Sequence, residues 1–358
     1  MNLGIFVYDI SLTGGAEHVA INLGETFASY HNVYMISLFE AEPQKVNRNL
    51  GYKNITLSDR TGSIPLNFLK YTSKLKKQLK ENNIDILLTI TAGIITLANA
   101  AAIGTKTKVI YAEHSNLENK TYGKKHEFRQ FIGAKFSDYT VTLTERDKNN
   151  FIKTFNIPTN KICTIPNWYI NNNNSDTPYN PDTKKIVSVG RLESVKGYNY
   201  LLEVAKVLSQ KHGDWHWDIC GDGTLRQELE ANIKALGLSD FITLKGNVNN
   251  VADILKNYSL FVMTSKYEGL PMSLLEAQSA SLPIVSFDCP TGPGEIISDG
   301  INGYTVPTYE TETMANKLDE LICNRQLRVN FSNNAQIDIA RFSKSRVLNM
   351  WLELFDFI

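Results

Sequence analysis

The chain has 358 residues, and at roughly 100–200 residues per domain that length predicts two domains. Its 37 basic and 37 acidic residues leave a formal net charge of zero, which excludes a polybasic nucleic-acid binder, and 42% hydrophobic with 21% charged residues excludes a disordered chain. Cys163, Cys220, Cys289 and Cys323 lie far apart with no Cys-x-x-Cys, so the composition speaks for reduced thiols and against a zinc knuckle or disulfide framework.

The start lacks a basic n-region and a long apolar core, so it does not read as a signal peptide. No apolar run nears the roughly 18 residues of a spanning helix, and any membrane contact is expected to be peripheral. Residues 3–8 read as a buried strand and 16–30 as a helix, with Val19, Ile21, Leu23 and Phe27 at helical spacing. Strands follow at 33–38, 84–90, 108–113 and 139–143, with a helix at 66–81 and others between. Residues 171–182 are polar with two prolines and read as a linker. The alternation then restarts. Strands are predicted at 185–189, 217–220, 241–245, 260–264 and 283–287, with helices at 198–211, 225–236, 251–256 and 271–280. Such alternation predicts parallel sheets covered on both faces. Two doubly wound domains facing a central cleft are expected, with ligands outside the carboxyl ends of the strands. A last aromatic helix at 343–355 is expected to cross back to the first domain.

Six clusters carry candidate chemistry. Thr13-Gly14-Gly15-Ala16-Glu17 links the first strand to the first helix, where glycine backbone and a helix N-terminus suit an anion, although a tight turn alone explains it. Gly190-Arg191-Leu192, with Lys196-Gly197, occupies the same place in the second half. A guanidinium and an ammonium at a helix start suit a diphosphate. Glu268-Gly269-Leu270-Pro271 leads into a helix that carries Glu276, with Pro271 expected in its first turn. A carboxylate beside Leu274, Leu275 and Ala277 needs a partner, and ribose hydroxyls would supply one. His114 follows the strand at 108–113 and is placed for the cleft. Cys220-Gly221-Asp222-Gly223 is a strand-end turn that would border a nucleotide or serve structure alone, and 288–297 reads as a pocket wall. His212 and His216 are four apart, but Gly213 and Asp214 between them argue against a helix and so against a metal pair.

Taken in order, Gly14-Gly15-Ala16-Glu17, His114, Gly190-Arg191-Leu192, Lys196-Gly197, Gly221-Asp222-Gly223 and the pair Glu268/Glu276 resemble retaining glycosyltransferases of family 4 (group 1), of the bacterial surface-glycan type. The resemblance covers nearly the whole chain. It implies a GT-B fold, with an acceptor domain over 1–168 that the helix 343–358 rejoins, a linker over 169–183 and a nucleotide-sugar domain over 184–342. It implies transfer of a hexose or N-acetylhexosamine from a UDP-linked donor to a glycan or polyprenyl-diphosphate-linked saccharide. No metal or other cofactor is implied, and the chain has no Asp-x-Asp. By the same resemblance, Arg191 and Lys196 would hold the donor diphosphate, with Gly190 beside them and Gly15, with Gly14, against the phosphate. Glu276 would hold the ribose, and Glu268, leading Gly269, Leu270 and Pro271, the sugar hydroxyls. Gly221, Asn247 and Val248 would border the base. His114 would meet the sugar or acceptor. Glu268 as a nucleophile in a double displacement is the lesser mechanistic alternative. The alternatives in function are a GT-B nucleotide-sugar epimerase and a catalytically silent nucleotide-sugar-binding subunit.

A cytoplasmic protein is expected, with contact to the inner face of an anionic membrane. Lys70, Lys74, Lys76, Lys77 and Lys80 occur without an acid among them. Lys120, Lys124, Lys125, Arg129 and Lys135 stand against Glu127, with Phe128, Phe131 and Ile132 interleaved. Solvated helix faces would explain the same residues.

Overall fold

The computed structural model describes residues 1–12, 14–47, 50–59, 61–169, 179–248 and 250–358. Thr13 and most of the expected linker, residues 170–178, lie outside the described residues. The chain divides into one unit of Met1–Ile165 with Met350–Ile358 and a second of Pro166–Asn349.

In the first unit β1 (Asn2–Asp9) leads through α1 (Gly15–Phe27) to β2 (Asn32–Phe39), and β3 (Lys53–Ser58) precedes α2 (Phe68–Glu81). Then follow β4 (Ile86–Ile90), α3 (Ile95–Ala102), β5 (Lys108–Glu113), α4 (Lys124–Phe136), β6 (Tyr139–Thr142), α5 (Glu145–Phe155) and β7 (Ile162–Thr164). The strands are parallel, in the order β3-β2-β1-β4-β5-β6-β7. Every residue of β4 is buried, which is why it reads as a mostly apolar run, broken only by Thr89, rather than an alternating one.

The second unit repeats the plan. β8 (Lys185–Val189), α6 (Tyr198–Lys211), β9 (His216–Cys220), α7 (Arg226–Ala235), β10 (Ile242–Gly246), α8 (Val251–Leu255) and β11 (Leu260–Met263) come first. They are followed by α9 (Met272–Ser279), β12 (Ile284–Phe287), α10 (Pro293–Ile296), β13 (Gly303–Val306), α11 (Thr311–Cys323), α12 (Arg325–Asp338) and α13 (Lys344–Phe357). The order β10-β9-β8-β11-β12-β13 is again fully parallel. Leu260, Phe261 and Val262 of β11 have no exposed surface. Each such side chain contributes about 1.5–3 kcal/mol of apolar burial.

α13 begins in the second unit, but its end, from Met350 on, is part of the first unit. Trp351 and Phe355 meet Phe27 of α1 edge-on, with ring centroids 6.2 and 5.2 Å away, and Phe357 meets Tyr139 at 6.1 Å. One expected boundary is corrected. Pro271 stands before α9 in extended geometry (φ −71°, ψ 108°), not in its first turn, so Met272 opens the helix. The first helix also stops at Phe27 rather than at residue 30.

Candidate functional site

In both sheets the strand order turns at the first strand, between β1 and β4 and between β8 and β11. Outside the carboxyl ends at such a turn, two neighbouring loops diverge toward opposite faces and leave a crevice. In the second unit the loops flanking it are those after β8 and β11. They carry Gly190-Arg191 with Lys196, and Glu268.

Lys196 Nζ donates to Glu268 Oε1 at 2.6 Å, with only 20% and 13% of the two side chains exposed. Two hydrogen bonds and one left-handed glycine fix the lysine end. The Lys196 carbonyl accepts from Thr264 Oγ1 at 3.1 Å, Lys266 N donates to the Val195 carbonyl at 2.8 Å, and Gly197 takes φ +66°. A Cβ on Gly197 would stand 2.2 Å from the Thr264 carbonyl oxygen, so only glycine fits there. The glutamate end is clasped by the loop after β12. Glu268 N donates to the Pro290 carbonyl at 2.7 Å, and Thr291 N donates back to the Glu268 carbonyl at 2.9 Å. Thr291 Oγ1 also reaches the Gly269 carbonyl at 3.0 Å, and Gly292 packs under Gly269 and Pro271. The segment 288–297 is therefore a wall of the Glu268 loop. Leu270 is buried in it.

Gly190, Gly221 and Gly246 line up across three neighbouring strand ends. Gly190 N donates to the Cys220 carbonyl at 3.0 Å, and Gly221 N to the Gly246 carbonyl at 2.8 Å. Asn247 and Val248 follow directly, the first exposed and the second half-buried. Arg191 is exposed, and its guanidinium has no partner among the described residues. Glu276 sits in the second turn of α9 between buried Leu275 and Ala277. Its carboxylate has no hydrogen-bond partner among the described residues, and burial pushes its pKa from 4.5 to about 7.

In the first unit Gly14 is the extended N-cap of α1, and Gly15 its first residue, with nothing within 4 Å of where a Cβ would stand. Glu17 folds back onto Gly14, where a Cβ would meet its Oε2 at 2.1 Å. Burial, with Asp9 adding to it, raises the Glu17 pKa. The positive end of α1 therefore already has a carboxyl group beside it, which a ligand anion would have to displace or share.

His114 follows β5. Its Nε2 is shielded and has no partner among the described residues, and burial lowers its pKa to about 4 against the pull of Glu113. In the sequence the segment 111–116 gives a role to His114 alone, and the neighbours that hold its loop go without one. Glu113, fully buried, accepts from Ser115 N at 2.7 Å and from Ser115 Oγ at 2.6 Å, from Gln130 Nε2 at 3.2 Å and from the Tyr111 hydroxyl. Glu113 stands next to His114 in the chain, and an acid ending a buried strand was the available signal. Tyr198 was missed likewise. Its hydroxyl donates to the Gly190 carbonyl at 2.8 Å.

His212 and His216 take different partners, Asp319 Oδ1 at 2.6 Å and Thr243 Oγ1 at 2.9 Å. No helix of the described residues is long and apolar enough to cross a membrane.

Residues 170–338 match the family model described as glycosyl transferases group 1, and residues 13–169 match that of glycosyltransferase family 4. An uncharacterized glycosyltransferase of Haemophilus influenzae is 28% identical, over 98% of each chain. A Campylobacter jejuni enzyme is 27% identical, over 96% of this chain and 95% of its own. Its name describes it as an α-1,4-N-acetyl-D-galactosaminyltransferase acting on a GalNAc-containing, undecaprenol-diphosphate-linked saccharide. The Anabaena protein HepE, solved with UDP and glucose, superposes with a TM-score of 0.83 over 100% of both chains at 17% identity, which speaks to the fold.

Proposed function

Since the chain belongs to the family 4 (group 1) glycosyltransferases of GT-B fold, we propose that it is a retaining, metal-independent hexosyl- or N-acetylhexosaminyltransferase. It uses a UDP-linked donor in bacterial surface-glycan assembly. The observation that carries this reading is the Lys196–Glu268 pair at the turn of the second sheet, with Arg191 left exposed beside it. A diphosphate leaving group develops negative charge as the glycosidic bond breaks. Lys196, held in place before the reaction, stabilises that charge with little reorganisation and Arg191 adds a second cation, and such preorganised charge is usually the main source of rate enhancement at a site of this kind.

In this reading the C1–O bond to the diphosphate breaks and a C1–O bond to the acceptor hydroxyl forms on the same face. The departing diphosphate takes the hydroxyl proton. Glu268, held by Lys196, accepts from hydroxyls of the donor sugar. Glu276 accepts from the ribose hydroxyls, which meets the need of a half-buried carboxylate that has no donor among the described residues. The base lies along Gly221, Asn247 and Val248. The first unit takes the acceptor, with His114 toward it. The UDP in HepE and the lipid-linked saccharide named for the Campylobacter enzyme support the donor and acceptor classes.

Peripheral contact with an anionic membrane belongs to the same proposal. On the first unit Leu66 and Leu69 are 87% and 82% exposed, beside exposed Lys70, Lys74, Lys77 and Lys80 of α2. Phe128 and Phe136 of α4 are exposed near Lys124, Lys125 and Lys135. Each basic residue at an anionic surface contributes about 1 kcal/mol. Flotation with anionic rather than neutral liposomes tests it, and equal recovery with both ends it.

The donor is tested by thermal shift with UDP-, GDP- and ADP-sugars, since a ligand that binds only the folded state raises the midpoint. A UDP-sugar should give the largest shift and be consumed on adding a lipid-linked acceptor. No shift with any of them would remove the proposal.

A further inference from the structure

The second unit holds a cluster that neither the donor site nor the core requires. α6 ends at Lys211, and His212 is its C-cap. Asp319 and Cys323 stand four residues apart near the end of α11, a spacing that puts both on one face of that helix. One ligand atom from each of His212, Asp319 and Cys323 lies within 4.8 Å of the other two. His212 Nε2 is already 2.6 Å from Asp319 Oδ1. Cys323 is a free, exposed thiol, so the cluster is open to solvent on its side.

We propose that His212, Asp319 and Cys323 form a zinc site, with water in the fourth position. An imidazole nitrogen, a carboxylate oxygen and a thiolate sulfur are the donor set that a borderline-soft, tetrahedral divalent cation takes. The position adds to the case. Two helix C-termini, those of α6 and α11, converge here, and the partial negative charge of their last carbonyls favours a cation. Lys211 Nζ lies 3.6 Å from the other Asp319 oxygen and opposes the metal electrostatically. That holds affinity to a moderate level. α6 runs from the loop after β8 to the start of β9, so the site lies at the amino ends of the strands, away from the carboxyl ends that carry Lys196 and Glu268. Its role is to tie two helices together, independent of the transfer chemistry.

The full chain, reduced and freed of metal, is titrated with Co²⁺ and read by thiolate-to-metal charge-transfer absorption. Cys323 alkylation is followed in parallel by peptide mass spectrometry, with and without Zn²⁺. One cobalt per chain is expected to give the thiolate band. Zn²⁺ should slow Cys323 alkylation roughly tenfold or more. His212→Gln and Asp319→Asn should each abolish that protection, and Lys211→Ala should strengthen it. Unprotected Cys323 in the parent protein, or protection that survives His212→Gln, overturns the proposal. Donor thermal shifts are unaffected by these variants, which separates a failure here from a failure of the transferase reading.

Discussion

Lys196 and Glu268, 72 positions apart in the chain, meet at 2.6 Å because β8 and β11 are neighbours at the turn of the second sheet. Both loops are braced by backbone contacts that do not depend on the pair. Lys196→Ala should therefore fold, with unchanged far-UV circular dichroism, and lose about 10²–10³-fold in transfer rate, the scale of removing one preorganised charge donor. Glu268→Gln keeps the shape and loses the charge. It should lower transfer with a smaller change in stability than Glu268→Ala. Parent-like turnover in Lys196→Ala would take this pair out of the reaction.

Glu276 has the opposite electrostatics, a half-buried carboxyl without a hydrogen-bond partner among the described residues. Its pKa rises from 4.5 unfolded to about 7 folded. Between those values the folded state holds a proton that the unfolded state has lost, so the group's contribution to stability falls as pH rises through that window. Above it the cost is on the order of 3 kcal/mol. Glu276→Gln should melt higher than the parent at pH 8, with the difference closing toward pH 4.5. It should also bind the donor more weakly. Hydroxyls that donate to the carboxylate favour its ionised form, so donor binding near pH 6.5 should release a proton. Calorimetry in buffers of different ionisation enthalpy reads that release, and its absence would detach Glu276 from the ligand.

The alternation of buried runs carries most of this fold in the sequence, because a strand covered on both faces is apolar along most of its length. The strands that escape that reading are β3, β7 and β13, and each lies at a sheet edge. β3 has one buried residue in six, Leu57, and β7 one in three, Ile162, so neither shows the apolar run that marks a central strand. At the candidate site, residues with unusual chemistry are legible. Glu276 among apolar neighbours and Gly221 beside a strand end both stand out. Their supports are not. Tyr198 acts through one hydroxyl bond to a backbone carbonyl eight residues back, and Thr291 holds Glu268 through main chain, so neither leaves a composition signal.

His114 should be neutral throughout the working range, since burial lowers its pKa from 6.5 to about 4. The unfolded chain binds that proton from pH 6.5 downward and the folded chain does not. The group's contribution is fully present above 6.5 and declines as the medium becomes acid. His114→Gln removes this acid sensitivity. Relative to the parent it should gain about 2 kcal/mol at pH 5 compared with pH 7. Buried Asp147, with a pKa raised to about 7, titrates in the opposite sense, but it is present in both proteins and drops out of the difference. In the reaction a neutral imidazole donates or accepts a hydrogen bond and supplies no charge. The transfer rate should therefore show no inflection from His114 between pH 6 and 7. A His114-dependent inflection there would mean that the ring is charged when it acts.

Two glycines separate folding from ligand contact. Gly197→Ala should destabilise the second unit, because φ is +66° and a Cβ would press to 2.2 Å from the Thr264 carbonyl oxygen. A strained backbone position costs about 1–3 kcal/mol, and the clash adds to it. Gly15→Ala should do the reverse. Nothing lies within 4 Å of its Cβ position, and Gly15 is the first residue of α1. Alanine favours helix over glycine by up to about 1 kcal/mol, so stability should hold or rise. If the backbone at Gly15 must come close to a phosphate, the added methyl blocks that approach, and donor affinity or transfer falls in a protein that melts no lower than its parent. Unimpaired transfer in Gly15→Ala would reduce Gly14-Gly15 to a strand-to-helix turn. The fold-back of Glu17 onto Gly14 would then be an N-terminal cap and nothing more.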